Sequence, residues 1–269
     1  MQLRKILLVL ACTLPSSSAL ALNFVFEFDP RNSFYTQERR AEIERAAAEY
    51  AKYITNNVTI VVNFTTTANN DAPAWGGPSD WYTVSQNNYW RGTVTFSTGW
   101  NWYAGPSEDF SGYDFFTVAL HELGHVLGFG TLTPWTSQVR NGYFYGRNAT
   151  AAYGGPVPLG SYIDSYGRTQ YAHWGNGVKS TLPGTNTWQT ASFSPITTAT
   201  FRPGERRYLT NLDLAGLADI GWNIVIPPST PSIPNTPSIP TIPEPGMLYM
   251  LLSGLGIVGL AARRYRRTA

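Results

Sequence analysis

The sequence predicts an α+β fold, and three patterns carry that reading. Residues 23–28, 58–64 and 92–96 have strand character, and two stretches of helical periodicity, 36–54 and 114–128, are interleaved with them. Residues 129–208 follow with weak periodicity and no long apolar run, so a looser second half is expected. The charged share is 13%, about half the usual fraction, beside 43% hydrophobic residues, 25 Gly and 19 Pro. A helical bundle or coiled coil needs far more Ala, Glu, Lys and Leu. The 269 residues suit one domain with a sizeable core and appendages.

Residues 1–21 have a basic start at Arg4 and Lys5, an apolar run, and Ala19-Leu20-Ala21 before Leu22, which is the pattern of a secretory signal peptide. The single cysteine, Cys12, falls inside that run and also permits a lipoprotein reading. The body has no cysteine, so neither disulfides nor thiolate chemistry are available to it. In the first strand Phe24, Phe26 and Phe28 share one face. Thr36 caps a helix whose apolar side is Ala41, Ile43, Ala46, Ala47, Tyr50 and Ile54. The β-branched runs 58–64 and 92–96 are strands, separated by a polar, aromatic segment, 65–90, expected as a long loop or hairpin. Asp114 caps the next helix, which continues through Val126 and stops at Gly128. Thr210, three places before Asp213, starts a short helix with a stripe of Leu212, Leu214, Leu217, Ala218 and Ile220 that ends at Gly221.

Charge is segregated along the chain. Two basic residues precede the first apolar run and four arginines (263, 264, 266 and 267) end the chain, leaving 13 basic against 17 acidic residues between, about −4. No basic patch remains for a phosphate backbone, which excludes the nucleic-acid-binding class.

The chemistry concentrates in His121-Glu122-Leu123-Gly124-His125. On a helix His121 and His125 share a face and can each present a nitrogen about 2.0–2.1 Å from one zinc ion. Glu122, adjacent, can reach the water on that metal, the general-base placement. Only three histidines occur in the chain, so a third histidine ligand is His173, in Tyr171-Ala172-His173-Trp174; Asp164 competes for that role. Tyr171 or Tyr162 could donate a hydrogen bond to a tetrahedral oxyanion.

This segment resembles the metzincins, zinc endopeptidases whose longer motif adds a glycine three places after the second histidine and a third histidine three places later. Gly128 matches the glycine, but Thr131 stands at the third ligand's position. His121, Glu122, His125, Gly128 and Phe129, with His173-Trp174 after a long insertion, resemble the leishmanolysin-like branch. Predicted bacterial secreted metalloproteases resemble the chain further, from Tyr113-Asp114-Phe115 through Phe144-Tyr145-Gly146 to the stretch 212–222. The resemblance implies a metzincin-like fold: a twisted mixed sheet with an active-site helix, an upper subdomain ending at His125, and a loop-rich lower subdomain carrying His173 and the last helix. It implies Zn2+ as cofactor and a protein or peptide substrate lying along an edge strand, expected at 92–96. The turn methionine that metzincins keep beneath the zinc is missing, because the methionines are Met1, Met247 and Met250; Ile196 in Ser194-Pro195-Ile196 is expected there.

The C-terminal end resembles a bacterial sorting signal. A Pro/Ser/Thr-rich linker, 226–242, leads to Pro243-Glu244-Pro245, an uncharged span over 246–262, and the arginine cluster. Seventeen residues are the lower limit for crossing a bilayer. The resemblance implies a transient transmembrane anchor in the inner membrane of a Gram-negative bacterium, cleavage near Pro243-Glu244-Pro245 by a sorting protease there, and passage to the cell surface or extracellular matrix. The organisation expected is 1–21 signal peptide, 22–225 catalytic domain, 226–242 linker and 243–269 sorting signal. The alternative function is a non-catalytic zinc-binding or adhesive surface protein, suggested by Thr131, the missing methionine and the aromatic-rich stretch 75–103.

Overall fold

The computed structural model describes residues 22–79, 89–164, 166–197 and 199–226. The chain divides into two units, 1–229 and 230–269, and every described residue lies in the first. The fold is α+β, as the sequence predicts.

Strand β1 (Asn23–Phe28) leads through helix α1 (Gln37–Ala51) to β2 (Thr59–Thr67), which runs parallel to β1. Strand β3 (Ala74–Pro78) follows, then β4 (Tyr89–Ser97), parallel to β2 and antiparallel to β3. The sheet order is β1-β2-β4-β3, so β3 is an edge. The phenylalanines of β1 lie half-buried on one face, where Phe28 stacks on Phe64 of β2 at 5.1 Å and Tyr50 of α1 approaches Phe24. Thr36 caps α1 through Arg39 N. The helix ends three residues earlier than its apolar pattern suggests, because the chain leaves it to pair: Ile54 bridges Ile224, and Val225 N bonds Tyr53 O.

Of the loop or hairpin expected over 65–90, the hairpin is present: β2 runs on to Thr67, and β3, formed from Ala74-Trp75-Gly76-Gly77-Pro78 without apolar alternation, pairs antiparallel with β4. One departure from expectation concerns the substrate edge. The 92–96 strand, expected at the edge, lies inside the sheet, hydrogen-bonded to β2 on one side and β3 on the other.

The short parallel pair β5 (Trp102–Tyr103) and β6 (Tyr113–Asp114) then delivers the chain to α2 (Phe115–Val126). All twelve α2 residues are buried. Beyond it come α3 (Thr133–Thr136), β7 (Val139–Arg140), β8 (Tyr143–Phe144), α4 (Arg147–Tyr153), β9 (Val157–Ile163) and β10 (Thr169–Trp174). The strands form a second sheet in the order β10-β9-β8-β7, with each neighbouring pair antiparallel. The hairpin of β11 (Lys179–Thr181) and β12 (Trp188–Thr190) and helix α5 (Asn211–Asp219) complete the unit. A stack of large rings, Phe129, Trp135, Phe144, Trp174 and Phe193, fills the core of this half and replaces the long apolar runs it lacks.

The expectation of a transmembrane helix, and with it a membrane partner and transient inner-membrane anchoring through the C-terminal span, is corrected. Among the described residues no helix is long and apolar enough to cross a membrane. The longest, α1, has 15 residues and several charges, and at about 1.5 Å per residue it falls short of a hydrocarbon core about 30 Å thick. Residues 246–262, on which that expectation rested, lie outside the described residues, as do 1–21 and the linker beyond Ile226.

The start of α2 is fixed by a buried ion pair. The Asp114 carboxylate accepts from Thr117 N at 3.1 Å and Thr117 Oγ1 at 2.6 Å, and receives Arg206 through Nε at 3.0 Å and Nη2 at 2.7 Å. Arg206 also donates to the carbonyls of Gly105, Pro106 and Ser107, so its guanidinium is nearly fully satisfied while 2% exposed. Removing Asp114 leaves the buried guanidinium with Glu108 as its one remaining carboxylate, a largely exposed partner at 3.2 Å. Asp114→Ala is therefore expected to destabilise the protein by about 3–5 kcal/mol, read as a lowered urea midpoint with unchanged slope. A loss below about 1 kcal/mol, the worth of a helix cap alone, would contradict this account of α2.

Candidate functional site

Helix α2 carries His121 and His125 one turn apart on one face, and β10 supplies His173. The three Nε2 atoms form a triangle with every side 3.1 Å. A β-bulge between Gln170 and His173 shifts the register of β10 against β9, and such a bulge re-aims the side chains beyond it. The strand is brought to the helix by the turn after α2: Gly128 and Gly130 adopt positive φ, and a Cβ on Gly130 would lie 2.2 Å from the Ala172 carbonyl oxygen. Only glycine lets the turn press so closely on the residue before His173.

The far nitrogen of each helix histidine is held. His121 Nδ1 lies 2.8 Å from Ser192 O, and His125 Nδ1 lies 2.8 Å from Phe129 O. A carbonyl only accepts, so both Nδ1 atoms carry the proton and both Nε2 atoms turn a lone pair into the triangle. Burial holds His121 and His173 well below the usual imidazole range, and their neighbouring imidazoles push the same way. His125 is lowered by burial, against the pull of the Phe129 carbonyl. Neutral rings are what a metal needs. Three nitrogens at tetrahedral corners about 2.0–2.1 Å from one ion stand about 3.3–3.4 Å apart, close to the observed triangle. The donor set fits zinc, and the three histidines are the one metal-holding cluster among the described residues.

Glu122 is 4% exposed and turns toward β3. Its pKa is pushed up to about 8 by burial, offset in part by a hydrogen bond from the Gly76 backbone. A Cβ on Gly76 would lie 2.5 Å from Glu122 O and 2.9 Å from Oε2, so the edge strand can cover this carboxylate only with glycine there. Triad and carboxylate open into a cleft of about 350 Å³, lined also by residues before and within β3 (Ala72, Ala74, Trp75), in β9 (Gly160–Tyr162) and at Pro195–Thr197.

Against family models, residues 31–139 match Matrixin (peptidase family M10), and residues 241–267 match the PEP-CTERM protein-sorting motif. The chain carries a metzincin-type zinc-protease domain. No curated protein matches the chain. The Matrixin match includes His121 and His125 and ends before His173, so the third member of the triad comes from the geometry.

Within this metzincin-type domain, Thr131 does not face the metal position as a ligand. Its hydroxyl donates to His125 O at 3.0 Å and closes the end of α2. Asp164, the competitor for the third position, is occupied elsewhere. It accepts from Tyr166 N, Arg168 N, Arg168 Nε and Gln170 Nε2, and its pKa falls to about 2, chiefly through the Arg168 backbone N–H. The residue packed beneath the histidines is Phe193 instead of Ile196. Its ring lies 6.0 Å from that of His121 and 6.4 Å from that of His125, and it presses so closely on Gly124 that a Cβ there would lie 1.9 Å away. Ile196 lines the cleft.

Sequence reasoning missed Asp213, seen there only as a capping residue. It does close the capping box with Thr210. The same fully buried carboxylate also accepts from Ser192 N at 2.9 Å, Phe193 N at 3.2 Å and Trp174 Nε1 at 3.0 Å. It thereby fixes the segment whose carbonyl holds His121 and the residue next to His173. Asp213→Asn would turn amide hydrogens toward backbone N–H donors. It is expected to weaken zinc affinity about 10–100-fold, the usual effect of losing an outer partner of a ligand, measured by competition with a chromophoric chelator. Unchanged affinity would contradict this role.

Proposed function

We propose that the protein is an endopeptidase in which His121, His125 and His173 hold zinc and Glu122 is the general base. The observation that carries this reading is the pairing of a three-nitrogen triangle with a buried carboxylate that is not part of it, both opening into one cleft. A purely structural zinc site has no use for that carboxylate. Zinc bound there would supply Lewis acidity toward a carbonyl and acidify water. Glu122 takes the proton of the attacking water and passes it to the departing amine. Burial of the carboxyl favours the protonated form needed for the second half of that task, and a dication bound nearby would favour the ionised form needed for the first.

The substrate is an extended peptide laid along β3, the edge strand that lines the cleft through Ala74–Gly76. Unpaired backbone groups of an edge hold such a chain regardless of its sequence. We assign the domain to the leishmanolysin-like branch, on the support of the 48-residue separation of His125 from His173 and the buried Trp174 after it. The organisation that accompanies this reading is a signal peptide over 1–21, a catalytic domain over 22–225, a linker over 226–242 and a sorting signal over 243–269. The match to the PEP-CTERM motif supports a surface or extracellular destination.

Two variants separate the roles. Wild type is expected to carry about one zinc per chain and to cleave a denatured protein substrate. His173→Ala should lose the metal, whereas Glu122→Ala should keep it and lose on the order of 10²–10⁴-fold in kcat. Elemental analysis beside a peptidase assay reads both. A Glu122→Ala protein that cleaves as fast as wild type would contradict the mechanism.

A further inference from the structure

The turn of α2 that separates its two metal ligands holds a glycine pressed by two aromatic residues. A Cβ on Gly124 would lie 1.9 Å from the Phe193 ring and 2.7 Å from the Tyr50 hydroxyl. Phe193 is the ring beneath the histidines. Tyr50 reaches the same turn from the end of α1 and is fully buried. Its hydroxyl donates to Leu120 O at 2.6 Å. A phenylalanine would fill this space without a polar atom, whereas a buried phenol needs a partner. The partner here is a helix carbonyl, the one that α-helical bonding also offers to Gly124 N. Leu120 precedes His121 and Gly124 precedes His125, so the phenol meets the backbone just before each ligand.

Such a contact positions α2 only if Tyr50 is itself fixed. Tyr53 N and Ile54 N both bond Tyr50 O at 3.0 Å, Tyr53 O accepts from Val225 N, and Ile54 bridges Ile224. Trp222, in the same strip, donates to Leu127 O just past the end of α2. The two helices are thus tied to one segment at their C-terminal ends and to each other through Tyr50. Apolar packing resists separation of the helices but gives little direction along their axes; a hydrogen bond does. His173 comes from β10 and does not travel with α2. A slide or roll of α2 would therefore change two sides of the nitrogen triangle and leave the third intact.

We propose that Tyr50 is a positioning residue for the metal site: the bond from its hydroxyl to Leu120 O sets where α2 presents His121 and His125 to His173. It touches neither metal nor substrate. The proposal rests on the three-histidine zinc reading above.

The test is Tyr50→Phe in the full-length protein, with Ile43→Val beside it. The phenylalanine keeps the ring and its packing against Phe24. Ile43 is a fully buried residue of the same helix, and loss of one methylene there weakens the core without removing a hydrogen bond. Both variants are titrated with zinc and with cobalt(II), whose visible bands follow coordination geometry. Tyr50→Phe is expected to lose about 10-fold in zinc affinity, the lower end of the effect of losing an outer partner, and to shift the cobalt bands. Its kcat should fall about 10-fold at unchanged KM, within the roughly 10²-fold that a 1 Å misplacement costs. Ile43→Val is expected to keep wild-type affinity, spectrum and kcat. A Tyr50→Phe protein with a lowered urea midpoint but wild-type zinc affinity and cobalt bands would overturn the proposal, as would equal losses in the two variants. A folded wild type that binds neither ion would instead overturn the three-histidine reading itself.

Discussion

Three imidazole lone pairs facing one another at 3.1 Å repel, and most of the surrounding structure serves to hold them there. A cation between them turns that repulsion into ligation, but the aim has to come from the protein. Each helix ring is anchored by its far nitrogen to a backbone carbonyl, and those carbonyls belong to segments that are themselves fixed. Ser192 is held by Asp213, and Phe129 lies in the glycine turn that ends α2, where its own N–H bonds back to Gly124 O at 3.0 Å. The other end of α2 is set by the Asp114–Arg206 pair. The helix therefore has little freedom to slide or rotate, and the triangle inherits that rigidity.

Helix α5 and its continuation act as a clamp on this arrangement. Asp213 reaches the Ser192–Phe193 segment and Trp174, while Gly216 lets Phe129 and Trp174 pack against the helix backbone. Asp219 accepts from Asn148 N and Ala149 N at the start of α4, over a Gly146 that has no room for a side chain. Trp222 donates to Leu127 O at the end of α2. Two of the three stretches of resemblance to secreted metalloproteases, 144–146 and 212–222, thus touch each other, and the second also touches the end of α2. Their residue types are explained by these contacts.

Legibility in the sequence followed the range of the interaction. The caps at Thr36, Asp114 and Thr210 and the pairing of His121 with His125 are local, and all of them could be read. His173 could be read for a different reason: the chain has only three histidines, so the choice was small. Strand β3 could not, since its Gly76 answers to Glu122 lying over it, and strand periodicity says nothing of a neighbouring helix. The edge was misplaced as a consequence. The strands of the second sheet, two of them only two residues long and one pair bulged, are held by ring stacking across long separations, and apolar periodicity fades under those conditions. Phe193 beneath the histidines was missed because its place depends on Asp213, twenty residues away.

The central claim is that three imidazoles and no carboxylate hold the metal, leaving Glu122 free to move protons. X-ray absorption at the zinc K-edge of the purified, zinc-supplied protein addresses it most directly. The account predicts a shell with three histidine nitrogens at about 2.0–2.1 Å and the outer-ring scattering of three imidazoles, unchanged in Glu122→Gln. A shell with two imidazoles and a protein carboxylate, or a spectrum altered by Glu122→Gln, would contradict it.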